Sequence, residues 1–461
     1  MKTILANVSN SFFVRNFLRT DALKVLEASG EVRLVLLAPK NKVDYYKKEF
    51  PAPFITFDIL PEVGNSRVEK FFKFLETASI SSKTSYMLAK SNLHRHGSSF
   101  SILRYPSFLL RMVLLNLGRF SFWRNFVRGI YYVFPNNAFD EILEKYKPDL
   151  AFFPSLIYSE DYVLAKAAKK RGVKTLGMTL SWDNFYSKTL LLVKPDNLLL
   201  HTKNILSQAQ KFGDWDSPNV SAVGIPQYDR YFKKENISSR EEFFRSIGAD
   251  PSKKLILYAF SGKAGFNIEL KIVELLHKYL VEKQINDDIQ VLIRPYPRYD
   301  FPKEKLEAMK QKYGFLAASP VAHPTGGKGD WEFDKEALDF LSSSLAHADL
   351  VVTMYSTFFI EAAIFDKPLV AVGFDGEKEL DYWNSAKRFF DWNHLAELRP
   401  LDGIKIVKSG QELISAINGY LSNPALDSGG RKKIVLEQCQ FTDGLSGERV
   451  SKTILGLLGL K

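Results

Sequence analysis

The chain has 461 residues and is 46% hydrophobic; 63 Lys+Arg against 52 Asp+Glu give it a formal net charge of +11. This balance excludes disordered, collagenous and disulfide-stapled classes and leaves room for several domains with full cores. The single cysteine, Cys439, can make neither an internal disulfide nor a cysteine-rich zinc site, which suits a reducing compartment.

Taken in chain order, residues 3–8 read as a first strand, followed by a polar turn and a helical stretch through Leu26. Asn7 interrupts the short apolar run that precedes it, so no export signal is expected there. The near-continuous apolar run 32–38 reads as a strand covered on both faces, and 54–57 as a weaker one. Further strands are expected at 150–153, 175–179, 198–201 and 220–223, with a helix over 160–171. After a Gly-Pro break at 224–226 and a charged helix over 238–247, a second series follows at 255–260, 289–293, 350–353, 369–372 and 404–407. Strands alternating with helices define an α/β chain with parallel sheets. The expected architecture is two doubly wound Rossmann-like domains facing a cleft, over 1–224 and 225–445. An amphipathic helix in 446–461 is placed to pack back on the first domain. In such sheets chemistry belongs to the loops after the strands.

Between Glu76 and Asp140 lie eight basic residues, Lys83, Lys90, Arg95, Arg104, Arg111, Arg119, Arg124 and Arg128, and no acidic one. Phe, Leu, Tyr and Trp fill the spaces between them, so about 77–139 reads as a basic, aromatic helical insertion in the first domain. Such a surface suits the headgroup region of an anionic membrane, each basic group adding about 1 kcal/mol; core packing with snorkelling arginines is the alternative. No apolar run is long enough to span a bilayer, since the best candidate, near 108–117, contains Arg111. No nucleic-acid-binding signature accompanies the charge. The expected location is cytoplasmic, peripheral on the inner face of the cytoplasmic membrane.

The strongest chemical segment is 349–372. A buried strand ends at Met354, Ser356 or Thr357 can cap the following helix, and the helix start offers unpaired N–H groups to a diphosphate. Glu361, one turn on, can accept from ribose hydroxyls; a plain cap and a solvated glutamate explain the same residues. Ser261-Gly262-Lys263 follows the first strand of the second series, where glycine lets the backbone approach a phosphate and Lys263 can neutralise it. The glycine-rich stretch 324–330, with Lys328, reads as a loop. Arg294, at a strand end, can offset diphosphate charge.

The segment from Asp349 to Val372 resembles the donor site of GT-B glycosyltransferases and their relatives, including the bacterial CDP-glycerol polyol-phosphate transferases. Gly224-Ile-Pro226-Gln-Tyr-Asp229 is similar to their "G-x-P-x-x-D" stretch, and Ile293-Arg294-Pro295-Tyr296-Pro297 to their "(I/L)-R-P-H-P" strand end. Asp443-Gly444, with Ser446 and Arg449, is similar to their "D-G-x-(A/S)-x-R" close. The resemblance spans about 220–450. It implies a GT-B fold, an enzyme, and nucleotide contacts from Ser356, Thr357, Glu361 and Arg294. Tyr296 stands where the polyol-phosphate transferases carry His, which implies a glycosyl rather than a glycerophosphate donor.

On the acceptor side, Ser181-Trp182-Asp183-Asn184 follows a buried strand, so Asp183 is placed to take a proton from an acceptor hydroxyl. The turn also suits a self-satisfied Asx motif; some membrane-polysaccharide glycosyltransferases carry a similar Trp-Asp-Asn turn. Glu160 and Asp161, at a helix start, are rival bases. Arg15 can touch acceptor or donor phosphate. Asp214-Trp215-Asp216 matches a bare D-x-D, but its polar surroundings read as a solvated turn; with His94 and His96 isolated, no metal and no cofactor is expected. The leading expectation is a metal-independent glycosyltransferase. It would use a nucleotide-sugar donor and a lipid-linked or surface-polysaccharide acceptor at the membrane. A CDP-glycerol-type transferase, a nucleotide-sugar epimerase and a non-catalytic membrane-associated nucleotide-binding scaffold are the alternatives.

Overall fold

The computed structural model describes residues 1–63, 66–94, 104–285, 288–297, 303–317, 321–327 and 330–460; Arg95, His96 and Lys328 lie outside them. Strands β1 Lys2–Asn7, β2 Val32–Ala38, β3 Ile55–Ile59, β4 Leu150–Phe153, β5 Lys174–Met178, β6 Asn197–Leu200 and β7 Val220–Ala222 form one parallel sheet in the order β3-β2-β1-β4-β5-β6-β7. A second parallel sheet takes the order β10-β9-β8-β11-β12-β13. Its strands are β8 Lys254–Ala259, β9 Ile289–Arg294, β10 Leu316–Ala317, β11 Leu350–Thr353, β12 Leu369–Val372 and β13 Lys405–Val407. Most strands are buried on both faces, as parallel sheets require. Side chains alternate between two cores: Leu5, Val35, Leu37, Ala151 and Phe153 face one, and Ile4, Ala6, Leu34, Leu36 and Phe152 the other.

One compact unit consists of the described residues up to Asp229, His94 excepted, with those from Cys439 onward; the other is His94 with Arg230–Gln438. In the first unit, α1 Asp21–Ser29 covers one face of the sheet. Between β3 and β4 come α2 Arg67–Ala78, α3 Lys83–Leu93, α4 Arg104–Leu117 and α5 Ser121–Val133; α6 Ser159–Lys170 then follows β4. The insertion thus starts about ten residues before its basic window. In the second unit α7 Phe266–Val281 follows β8 and α8 Phe358–Ile364 follows β11.

The last helix, α9 Ser446–Leu457, returns to the first unit and packs on α1, adding Val450, Ile454 and Leu455 to the core that Phe13 and Phe17 share. The two outer motifs meet there. Gly224 has φ +89, and a Cβ on it would lie 2.3 Å from the Ser446 hydroxyl, so only glycine fits. Asp229 Oδ2 accepts from the Gly447 amide at 2.7 Å.

Candidate functional site

Strand order reverses between β8 and β11 in the second sheet and between β1 and β4 in the first, so the loops after these strands are where ligands bind in such sheets. At β8/β11 the structure brings several sequence-predicted residues together. Arg294, at the end of β9, lays its guanidinium over the ring of Phe358, the first residue of α8, 5.0 Å from the centroid. Cation–π stacking fixes the charge beside the turn that carries Ser356 and Thr357. The Ser356 hydroxyl accepts from the Phe358 amide at 3.1 Å, while Thr357 is exposed and makes no cap bond, so Ser356 closes the turn.

Ser261 acts differently from the expected phosphate cradle. It is buried; its amide donates to Glu269 Oε1 and Oε2 at 2.9 and 3.2 Å, and its hydroxyl accepts from the Met354 and Tyr355 amides at 3.2 and 3.0 Å. The groups expected to meet a ligand instead clamp the β8 loop to the β11 loop. Gly262, at φ +125, is buried beneath the Tyr296 ring, and Lys263 beside it is exposed.

Glu269, in the first turn of α7, escaped the sequence reading. It is wholly buried, and removal from water pushes its carboxyl up to about 8, against the opposing bonds from Ser261. It is therefore neutral over most of the neutral range. The available signal was an acid on the apolar stripe formed by Phe266, Val273 and Leu276.

Glu361 lies on α8 as expected but is only 3% exposed, and its Oε2 accepts from the Tyr231 hydroxyl at 2.9 Å. It is a buried, partnered carboxylate rather than a solvated one. Beside α8 a cavity of about 820 Å³ opens, lined by Phe359, Gly373, Phe390, Leu398, Ile406 and Lys408 among others.

In the first unit, Asp183 begins a helical turn, Asn184–Ser187, after β5. Its Oδ1 accepts from the Ser181 hydroxyl at 2.6 Å and from Lys188 Nζ at 2.7 Å, and it is partly exposed. Asn184 is buried and donates to the Ser155 carbonyl at 3.2 Å, tying this turn to the loop after β4. Asp161 joins them from α6 but does not fit the role of a solvent-facing base. It is 1% exposed, accepting from Ser155 Oγ and, at 3.3 Å, from Asn7 Nδ2, and burial pushes it up to about 6 despite those bonds. The cause is helix geometry: residues 161–168 of α6 are all buried, whereas Glu160 stays half-buried at the helix edge.

The solvated reading of Asp214 is also corrected. Its carboxylate accepts from Arg124 Nε at 2.8 Å and Arg128 Nη1 at 2.7 Å, and from Ser121. Burial opposes ionisation, but Arg124, Ser121 and Arg128 outweigh it and hold the group well below the usual carboxylate range. Two arginines of the basic window are thus internal pairs rather than headgroup ligands. Among the described residues, no cluster of three or more His, Cys, Asp and Glu could hold a metal ion, and no helix is long and apolar enough to cross a membrane.

Two Rossmann-like units with these switch-point loops define a GT-B-type fold, and solved structures agree. The S. aureus MnaA–UDP co-structure has TM-score 0.57 at 13% identity, covering 100% of this chain and 98% of that one. The UDP-GlcNAc 2-epimerase from Neisseria meningitidis bound to UDP-GlcNAc gives 0.55 at 13%, covering 99% and 100%. A glycosyltransferase from Rickettsia africae gives 0.51 at 12%, covering 99% and 98%. No curated protein matches the chain significantly. Residues 173–456, more than half the chain, match the CDP-Glycerol:Poly(glycerophosphate) glycerophosphotransferase family, and the chain belongs to that family of transferases.

Proposed function

We propose that the protein moves a sugar from a nucleotide-diphosphate donor to a lipid-linked or surface-glycan acceptor at a membrane surface. One observation carries the donor half. Arg294, the Gly262–Lys263 loop and the Ser356–Phe358 turn converge at the β8/β11 switch point, inside the family match. Arg294, Lys263 and the amides of the turn would bear the leaving diphosphate's charge without a metal. Glu361 would accept from the ribose beside Tyr231, and Asp183 would take the acceptor's proton, with Glu160 as rival. Ser181 and Lys188 hold that carboxylate in place.

The family match itself favours a second reading, transfer of glycerophosphate from CDP-glycerol; Tyr296, in place of histidine, argues for the first. Calorimetry with UDP-N-acetylglucosamine, CDP-glycerol, UDP and CDP separates them. Tight binding of the first alone supports a sugar donor, of the second alone a polyol-phosphate donor, and binding of none removes both. With whichever binds, Glu361→Ala should weaken affinity by about 1–3 kcal/mol, the cost of stranding hydrogen-bond partners.

The membrane enters through α4 and α5. Leu109, Leu110, Val113, Phe120 and Phe126 are exposed, and Phe122 is 67% exposed, with Arg104 and Arg119 the exposed charges among them. A monomer rarely leaves such a patch in water without a use for it. The protein should pellet with phosphatidylglycerol vesicles and be released by salt; indifference to lipid charge would count against docking.

A further inference from the structure

The inner side of the same insertion grips one short segment of chain. After the Asn184–Ser187 turn the backbone runs irregularly below the surface, where its polar groups need partners. Those partners come from the insertion. The Tyr186 carbonyl accepts from Ser82 and, at 3.1 Å, from Ser85. The Lys188 carbonyl accepts from Lys73 Nζ at 2.8 Å. Arg128, buried on α5, donates to the Leu190 carbonyl at 2.5 Å and the Leu191 carbonyl at 3.0 Å. Glu76, wholly buried on α2, accepts from the Leu190 amide at 3.1 Å and the Thr189 hydroxyl at 3.0 Å. Leu191 is held at φ +57, a left-handed conformation a leucine adopts only when its surroundings impose it.

This segment is joined to the acceptor side, because Lys188 is the ion-pair partner of Asp183 at 2.7 Å. It is also joined to the outer surface. On α5, Phe122, Phe126 and Val133 point outward while Arg124, Val127, Arg128 and Tyr131 point inward, so a single helix carries both faces. A packed helix moves as a unit, and a shift of α5 displaces the two carbonyls that Arg128 holds.

We infer that docking of the outer α4–α5 face on an anionic phospholipid bilayer is transmitted through Arg128 and Glu76 to the 186–191 segment and so to the Lys188–Asp183 pair. The inference rests on the reading of Asp183 as the base. Arg128 and Glu76 are positioning residues: neither is placed to touch substrate, and they act through the backbone they hold. The bilayer biases the site by preferring the arrangement of α5 in which its apolar side chains reach the acyl region. An enzyme so built works best where its lipid-linked acceptor resides.

Hydrogen exchange on the full chain tests this, with phosphatidylglycerol vesicles against phosphatidylcholine vesicles and buffer. The expected result is slowed exchange in 105–133 and, with it, a slowing of about fivefold or more in the amides of 186–191, since docking suppresses local opening. Arg128→Lys keeps a cation for Asp214 but loses the guanidinium fork. It should pellet with vesicles as the parent does while its 186–191 amides stay indifferent to lipid. Phe122→Ser with Phe126→Ser, both at exposed positions, should abolish both responses. Protection of 105–133 without any change in 186–191 would overturn the inference, as would an Arg128→Lys response equal to the parent's. No protection anywhere overturns docking and the inference together. The Asp183 reading is judged separately: loss of turnover in Asp183→Asn supports it whatever the exchange pattern.

Discussion

Glu269 is wholly buried, yet the loops after β8 and β11 depend on it: it holds Ser261, and Ser261 holds the amides of Met354 and Tyr355. Its folded-state pKa, about 8, lies above its ordinary value of 4.5. The stability it provides is therefore complete below about 4.5 and is lost as pH rises through 8. Glu269→Gln imitates the protonated acid, so thermal denaturation of this variant should lose the decline expected of the parent between about pH 4.5 and 8; an unchanged decline would place its source elsewhere. Asp161, raised to about 6 from 3.8, acts in the same sense at lower pH. At this scale the sequence was only partly legible. Ser261, Arg294 and Ser356 are recognisable because they end or follow strands, but residue type does not tell whether a serine faces a phosphate or a neighbouring loop. Burial decides that, and for Ser261 it decides for the loop. Asp161 and Glu160 are adjacent in sequence and separated only by which side of α6 faces the core.

Among the elements, the insertion shows how charge misleads when tertiary partners are unseen. Arg124 and Arg128 count toward an acid-free basic run, yet their counter-charge, Asp214, lies some ninety residues on. No local pattern announces that pairing. Asp214→Asn would leave two buried guanidinium groups without their carboxylate and should cost about 3–5 kcal/mol, measurable by urea denaturation. What the pattern did convey is the outward face: aromatic and aliphatic residues spaced three and four apart on α4 and α5 stay exposed. Helix α9 illustrates the opposite case. Its amphipathic spacing is plain in the sequence, but its close approach to α1 is not. A Cβ on Gly447 would lie 2.8 Å from the Ala22 amide, so Gly447→Ala should push the two helices apart and destabilise the protein by about 1–3 kcal/mol.

For the molecule as a whole, the order of strands and helices was readable almost throughout, because parallel strands buried on both faces are continuous apolar runs bounded by turns. The exception, β10, is two residues long and pairs only at the edge of its sheet. The family motifs were legible as an ordered set; that Gly224 and Asp229 meet Ser446 and Gly447, over two hundred residues apart, was not. That meeting has a consequence for biogenesis. Apart from His94, the described residues of the second unit are continuous in the chain, whereas the first lacks four buried apolar side chains, Val450, Ile454, Leu455 and Leu458, until residues 446–458 are supplied. On the ribosome the second unit can therefore mature while the first waits, half-built and exposed. Nascent chains stopped before residue 446 should be cut by protease within the first unit and spared in the second, and that asymmetry should vanish on release of the full-length polypeptide.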